Sequence, residues 1–208
     1  LRFYILRHPE TVANERSLIY GWENYEYTKK GEEMFREIQK RMDAYRFDRI
    51  YTSPLGRARK LAEAIGARRR KDVIVEERLK EMHYGILEGM PYPEALQKYP
   101  RVLDRLFGDL EHFTVPEGES IDHVTARVGE FLDEIKEEEG AVLLVTHSML
   151  THTALSCLLD IPRNDMWHFK IDPCMLIRVD YHDGYGVLKF MIPFEETDGT
   201  YIVNIDGR

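Results

Sequence analysis

The chain has 208 residues, 43% of them hydrophobic and 32% charged, with a formal net charge of −8. That length and composition suit one globular domain with a sizeable core, and the acidic balance argues against a general nucleic-acid surface. No apolar run approaches membrane-spanning length and no signal-peptide pattern shows at Leu1. Two cysteines, Cys157 and Cys174, make no disulfide framework, so a reducing cytoplasm is expected, with Cys157 a buried, inert thiol. The run Arg68-Arg69-Arg70-Lys71 is the only basic cluster and reads as a solvated turn that follows a helix end.

In chain order, Phe3–Leu6 is a short apolar run that ends in Arg7-His8 and the turn signal Pro9, which predicts a buried strand. A loop from Pro9 to Tyr27 follows, and Thr28 opens a helix to about Ala44 with Met34, Ile38 and Met42 on one face. Arg49–Thr52 reads as a second buried strand. Ser53-Pro54 then predicts a helix start, with Ser as cap and Pro at the first helical position, and Gly66 its end. Val73–Val75 is a third strand. Pro91, Pro93, Pro100 and Pro116 punctuate the next segment, which admits two short helices near Pro93–Lys98 and Arg101–Leu106. Ser120 caps an amphipathic helix to about Glu138, with Val124, Val128, Phe131 and Ile135 aligned. Ala141–Val145 is the clearest strand; His147-Ser148 and a helix over Met149–Leu159 follow. Cys174–Val179, Gly186–Ile192 and Tyr201–Asn204 are further strands, the first two joined by an Asp183-Gly184 turn.

Repeated strand–helix order predicts an α/β fold: a mostly parallel central sheet with helices on both faces and an antiparallel edge element. One domain is expected across residues 1–208, with an excursion at about 82–118 that covers the active site. Three strand ends carry chemistry: Arg7-His8, Ser53 through Arg57, and His147-Ser148. In open α/β sheets those carboxyl ends form the ligand crevice, and a helix N-terminus beside an Arg suits an anion.

The stretch Leu6-Arg7-His8-Pro9-Glu10-Thr11-Val12-Ala13-Asn14 resembles the signature Leu-Arg-His-Gly-x-Thr-x-x-Asn of the histidine phosphatase superfamily, which includes the cofactor-dependent phosphoglycerate mutases. Pro9 stands where that family has Gly. Ser53-Pro54-Leu55-Gly56-Arg57-Ala58 resembles its second motif, with Leu61 in place of a Thr. Val145-Thr146-His147 resembles its third, with Ser148 in place of a Gly. Lys80 through Gly89 is similar to the segment that holds the family's general acid. Spacing alone leaves Glu81 and Glu88 open; the resemblance carries the role to Glu81. Pro116-Glu117-Gly118-Glu119-Ser120 matches a further family segment and is read as structural.

The resemblance implies the phosphoglycerate mutase-like fold and a metal-independent phosphomonoesterase of the small phosphatase branch. His8 would be the nucleophile, Glu81 the acid, and Arg7, Arg57 and His147 catalytic groups that also bind phosphate. Asn14, Ser148, Tyr20 and Gly21 complete the expected phosphate and substrate contacts. No His, Cys and Asp cluster has metal-ligand spacing, so no metal is expected, nor any cofactor. The expected partner is a small phosphorylated substrate, with no nucleic acid and no membrane, in a monomer or homodimer. A short insertion with isolated Arg101 and Arg105 favours a phosphatase over a mutase; a catalytically weak phosphate-binding module, motivated by Pro9 and Ser148, is the alternative of another class. Tyr20, Trp22, Tyr25 and Tyr27, with Phe107, His112 and Phe113, either line an apolar substrate cavity or pack the core.

Overall fold

The structure is a computed structural model and describes residues 1–109 and 112–195. Its organising strand is β6 (Ala141–Thr146), in which every residue is buried. A strand so apolar has to be covered on both faces. It lies between β1 (Arg2–Arg7) and β3 (Arg49–Thr52), parallel to both. Beyond β3 runs β4 (Val73–Val75), also parallel, and beyond β1 run β7 (Leu176–His182) and β8 (Tyr185–Ile192), both antiparallel to their neighbours. Among the described residues the main sheet therefore has the order β4-β3-β6-β1-β7-β8, the predicted mostly parallel sheet with an antiparallel edge. Asp183 (φ 52°) and Gly184 (φ 76°) make the β7–β8 turn in the left-handed conformation that a two-residue hairpin of this type requires. The strand expected at Tyr201–Asn204 lies outside the described residues.

Alternation along the strands splits the core in two. Phe3, Ile5, Val142, Leu144 and Ile177 point to one face, where α6 (Ile121–Ile135), α7 (Ser148–Leu159) and the excursion pack. Tyr4, Leu6, Leu143 and Val145 point to the other, against α2 (Lys29–Arg41) and α3 (Gly56–Arg69). Sequence signals for α2 and α6 hold in detail: the Thr28 hydroxyl accepts from Gly31 N, and Ser120 forms a capping box with His123. The excursion carries α4 (Tyr92–Lys98) and α5 (Pro100–Gly108), close to the two short helices expected there. No helix among the described residues is long and apolar enough to cross a membrane.

Two expectations for α3 are corrected. Its cap is Leu55, not Ser53, and Gly66 does not end it. A Cβ at Gly66 would stand 2.7 Å from Val73 Cγ2, so that glycine permits close helix–strand packing, and the helix stops at Arg70 in the left-handed conformation. The basic cluster is not wholly solvated either. Arg68 pairs with Asp43, and Arg69 donates to the carbonyls of Met42 and Tyr45, which ties the last turn of α3 to the end of α2. One element had no sequence signal. Residues Leu18–Ile19 (β2) pair antiparallel with Met90–Pro91 (β5), so the loop after the first motif is stitched to the excursion. A single turn of helix, α1 (Val12–Glu15), precedes β2.

Candidate active site

Because β6 separates β1 from β3, their carboxyl ends bring Arg7-His8, Ser53 and His147 together. The ladder continues one step past the strands: His8 N donates to Thr146 O at 3.0 Å and Ser53 N to Val145 O at 3.1 Å. His8 is 1% exposed. Its Nδ1 lies 2.6 Å from the carbonyl oxygen of Pro9. A carbonyl only accepts, so Nδ1 carries the hydrogen and the lone pair of the neutral ring is on Nε2. Arg57 Nε donates to that Nε2 at 3.3 Å. Burial, and then the charges of Arg57 and Arg7, hold the His8 pKa well below the ordinary imidazole range, so at neutral pH the ring is an unprotonated base.

Arg57, near the start of α3, is buried and held by the loop between β2 and α2. Its Nη1 donates to Glu23 O at 2.8 Å and its Nη2 to Gly21 O at 2.5 Å, and the Tyr20 ring covers the guanidinium at 4.8 Å. Gly21 thus enters the site through a carbonyl, which cannot donate to a phosphate, and through its missing side chain. A Cβ there would fall 1.7 Å from Met82 O. The Tyr20 hydroxyl lies 3.0 Å from Thr11 Oγ1. Asn14 Oδ1 accepts from Thr11 N and Thr11 Oγ1, both at 2.9 Å, so only its Nδ2 end is suited to a ligand oxygen.

His147 is fully buried, with its ring centroid 5.2 Å from that of His8. Its Nε2 lies 2.8 Å from Ser53 Oγ, which itself accepts from Leu55 N. Burial, followed by Arg57, His8 and Arg7, holds its pKa well down too. Two buried nitrogens around His8 have no hydrogen-bond partner among the described residues: His147 Nδ1 and Arg7 Nε, although Arg7 Nη1 donates to Ile171 O. An orphaned buried nitrogen costs about 1–3 kcal/mol, a cost that an accepting ligand oxygen would relieve. Ser148 is half buried at the first position of α7, and the cap is His147.

The Glu81–Glu88 ambiguity resolves by partners. Glu88 accepts four backbone N–H bonds, from Gly21, Trp22, Glu23 and Tyr84, and is occupied in shaping the loop. Glu81 is buried, with Oε1 accepting from Met82 N at 3.0 Å and Oε2 from Met149 N at 3.2 Å. Burial raises its pKa against the opposing pull of Arg57, the direction a proton donor needs. The aromatic residues are not gathered into one cavity. Tyr27 and Phe113 are buried, whereas Phe107 is 61% exposed and Trp22 packs at a tilt against His83, with the ring centroids 4.6 Å apart.

The sequence profile of the histidine phosphatase superfamily (branch 1) matches residues 3–192. The chain belongs to that superfamily. A protein of Yersinia enterocolitica named probable phosphoglycerate mutase GpmB is 30% identical over 185 residues, 88% of this chain and 86% of that protein. The alpha-ribazole phosphatase of Shigella flexneri superposes with a TM-score of 0.85 at 25% identity, covering 93% of this chain and 97% of the other. A mycobacterial glucosyl-3-phosphoglycerate phosphatase, solved with VO3, gives a TM-score of 0.80 at 25% identity and coverages of 90% and 96%. In this member of the superfamily, sequence reasoning missed the Ser53–His147 contact and all of Arg127, whose guanidinium meets the carbonyl of Glu81. Ser53 was legible only as a helix cap, and a single Arg on an amphipathic helix gives no signal.

Proposed function

We propose that the protein is a phosphomonoesterase that works through a phosphohistidine on His8. His8 Nε2 attacks phosphorus, the ester P–O bond breaks, and its electron pair leaves on the alcohol oxygen, which takes the proton of Glu81. Glu81, now a carboxylate, takes a proton from water as the water oxygen attacks phosphorus, the P–N bond breaks, and phosphate leaves. Arg57 already points at Nε2, and Arg7 Nε and His147 Nδ1 would satisfy themselves on the equatorial phosphoryl oxygens. Charge-assisted bonds of this kind contribute on the order of 1.5–3 kcal/mol each.

The observation that carries the reading is the tautomer of His8: its Nδ1 is committed to the Pro9 carbonyl, so the buried nucleophilic nitrogen is Nε2. The phosphatases among the structural neighbours support hydrolysis. The name borne by the curated relatives favours a second reading, phosphoglycerate mutase-type transfer, which needs basic groups on the excursion to hold a second anionic group. Arg101 and Arg105 are exposed, which supports the phosphatase. His8→Ala should abolish turnover of p-nitrophenyl phosphate and leave no acid-labile phosphoryl group after quenching. Retained turnover, or a phosphoryl group mapped to another residue, would refute it.

A further inference from the structure

The geometry points to Arg127, with Glu119, as a positioning pair for the general acid: together they set where the Glu81 carboxyl stands. This rests on the reading of Glu81 as the acid. The acid sits on residues 80–84, which belong to no helix or strand, so no ladder fixes their height above the sheet. Arg127 on α6 supplies what a ladder would. Its Nη1 donates to Arg78 O at 2.6 Å and Lys80 O at 2.8 Å, and its Nη2 to Glu81 O at 3.1 Å. Its Nε and Nη2 also grip the Glu119 carboxylate, at 2.9 and 3.0 Å. A guanidinium has five N–H donors in a rigid fork, and all five are used.

Glu119 closes the clamp from the other side. Its Oε2 accepts from His83 N at 2.9 Å, and its own N donates to His83 O at 2.8 Å. Residues before and after the acid are thus tied to one ion pair whose two side chains are each 17% exposed. The acid's carbonyl also takes the Trp22 indole N–H at 2.8 Å. Its carboxylate meanwhile reaches α7 at Met149 N. With the backbone fixed to α6 and the carboxyl to α7, the side chain has one place to stand. An ordinary ion pair would need one carboxylate and no carbonyls. Here three of the five donors go to the carbonyls of Arg78, Lys80 and Glu81.

The test compares an alkyl phosphate, whose leaving group needs protonation, with p-nitrophenyl phosphate, whose leaving group does not. Arg127→Ala should slow the alkyl ester about 10- to 100-fold more than the aryl ester, the scale set by a misplacement of about 1 Å. Vanadate inhibition, which reads the phosphate clamp, should stay within about twofold of the wild type, because a shift confined to the acid leaves bound groups in place. Arg127→Lys should restore little, because an ammonium lacks the fork. In a Glu81→Gln background, Arg127→Ala should cost the alkyl ester less than about threefold further, since two changes acting through one group do not add. Equal slowing of both esters by a folded variant, or full additivity with Glu81→Gln, would overturn the proposal. If Arg127→Ala does not fold, Arg127→Lys and Glu119→Gln carry the same comparison. If Glu81→Gln alone shows no leaving-group preference, the acid reading itself has failed, a result seen before Arg127 is touched.

Discussion

Glu88→Ala is expected to cost stability rather than a catalytic proton. The carboxylate accepts from Gly21 N at 2.9 Å, Trp22 N at 3.1 Å, Glu23 N at 3.3 Å and Tyr84 N at 2.9 Å. The Trp22 and Glu23 donors sit at exposed positions, where water replaces the lost oxygen. Those of Gly21 and Tyr84 are part-buried, and each orphaned N–H costs about 1–3 kcal/mol. The sum is about 2–6 kcal/mol, which for a chain of this size lowers Tm by roughly 4–24 °C. Glu88→Gln keeps one accepting oxygen and should lose about half as much. Because the carbonyls of Gly21 and Glu23 hold Arg57, vanadate inhibition should weaken in parallel. The assay is urea denaturation followed by circular dichroism, with vanadate inhibition measured on the same samples. A loss below about 1 kcal/mol would refute the structural role. So would a loss of activity confined to poor leaving groups, the pattern reserved for Glu81.

His8 and His147 should both stay neutral as pH falls through the ordinary imidazole value, since burial and two arginines oppose the cation. Their C2–H proton resonances should not move across about pH 6.5, and stability should fall below that pH because the unfolded chain protonates first; a normal titration of either ring would contradict this. Pro9→Gly should keep the fold and change turnover by about tenfold or less, roughly 1.4 kcal/mol, because the His8 Nδ1 bond is to a backbone carbonyl that glycine also has. A natural protein inert on every phosphate ester, together with an active Pro9→Gly variant, would replace the enzyme reading with that of a phosphate-binding module.

The strands were legible because their apolar runs are short, continuous and cut by turn residues, as at Phe3–Leu6 and Ala141–Val145. The convergence of Arg7, His8 and His147 followed from parallel order alone. What stayed hidden depended on partners far along the chain. Ser53 looks like a helix cap, yet its hydroxyl goes to His147, 94 positions away. Gly66 looks like a helix stop, yet its lack of a side chain serves Val73. Glu88 and Glu81 are indistinguishable as letters. Only the four N–H groups around one and the burial of the other separate them. The β2–β5 pair spans two residues a side, below what any periodicity can announce.

The order β3-β6-β1-β7 has a consequence for how the chain is made. β1 leaves the ribosome well before the strands it pairs with, because its two hydrogen-bonding neighbours are residues 141–146 and 176–180. At about 5–20 residues per second, roughly 7–30 s of synthesis separate the strand from its first partner. For that interval Phe3–Leu6 is an apolar segment with both edges open, the condition in which nascent chains stick to one another or to chaperones. A ribosome stalled before residue 140 would display His8 with no pocket around it.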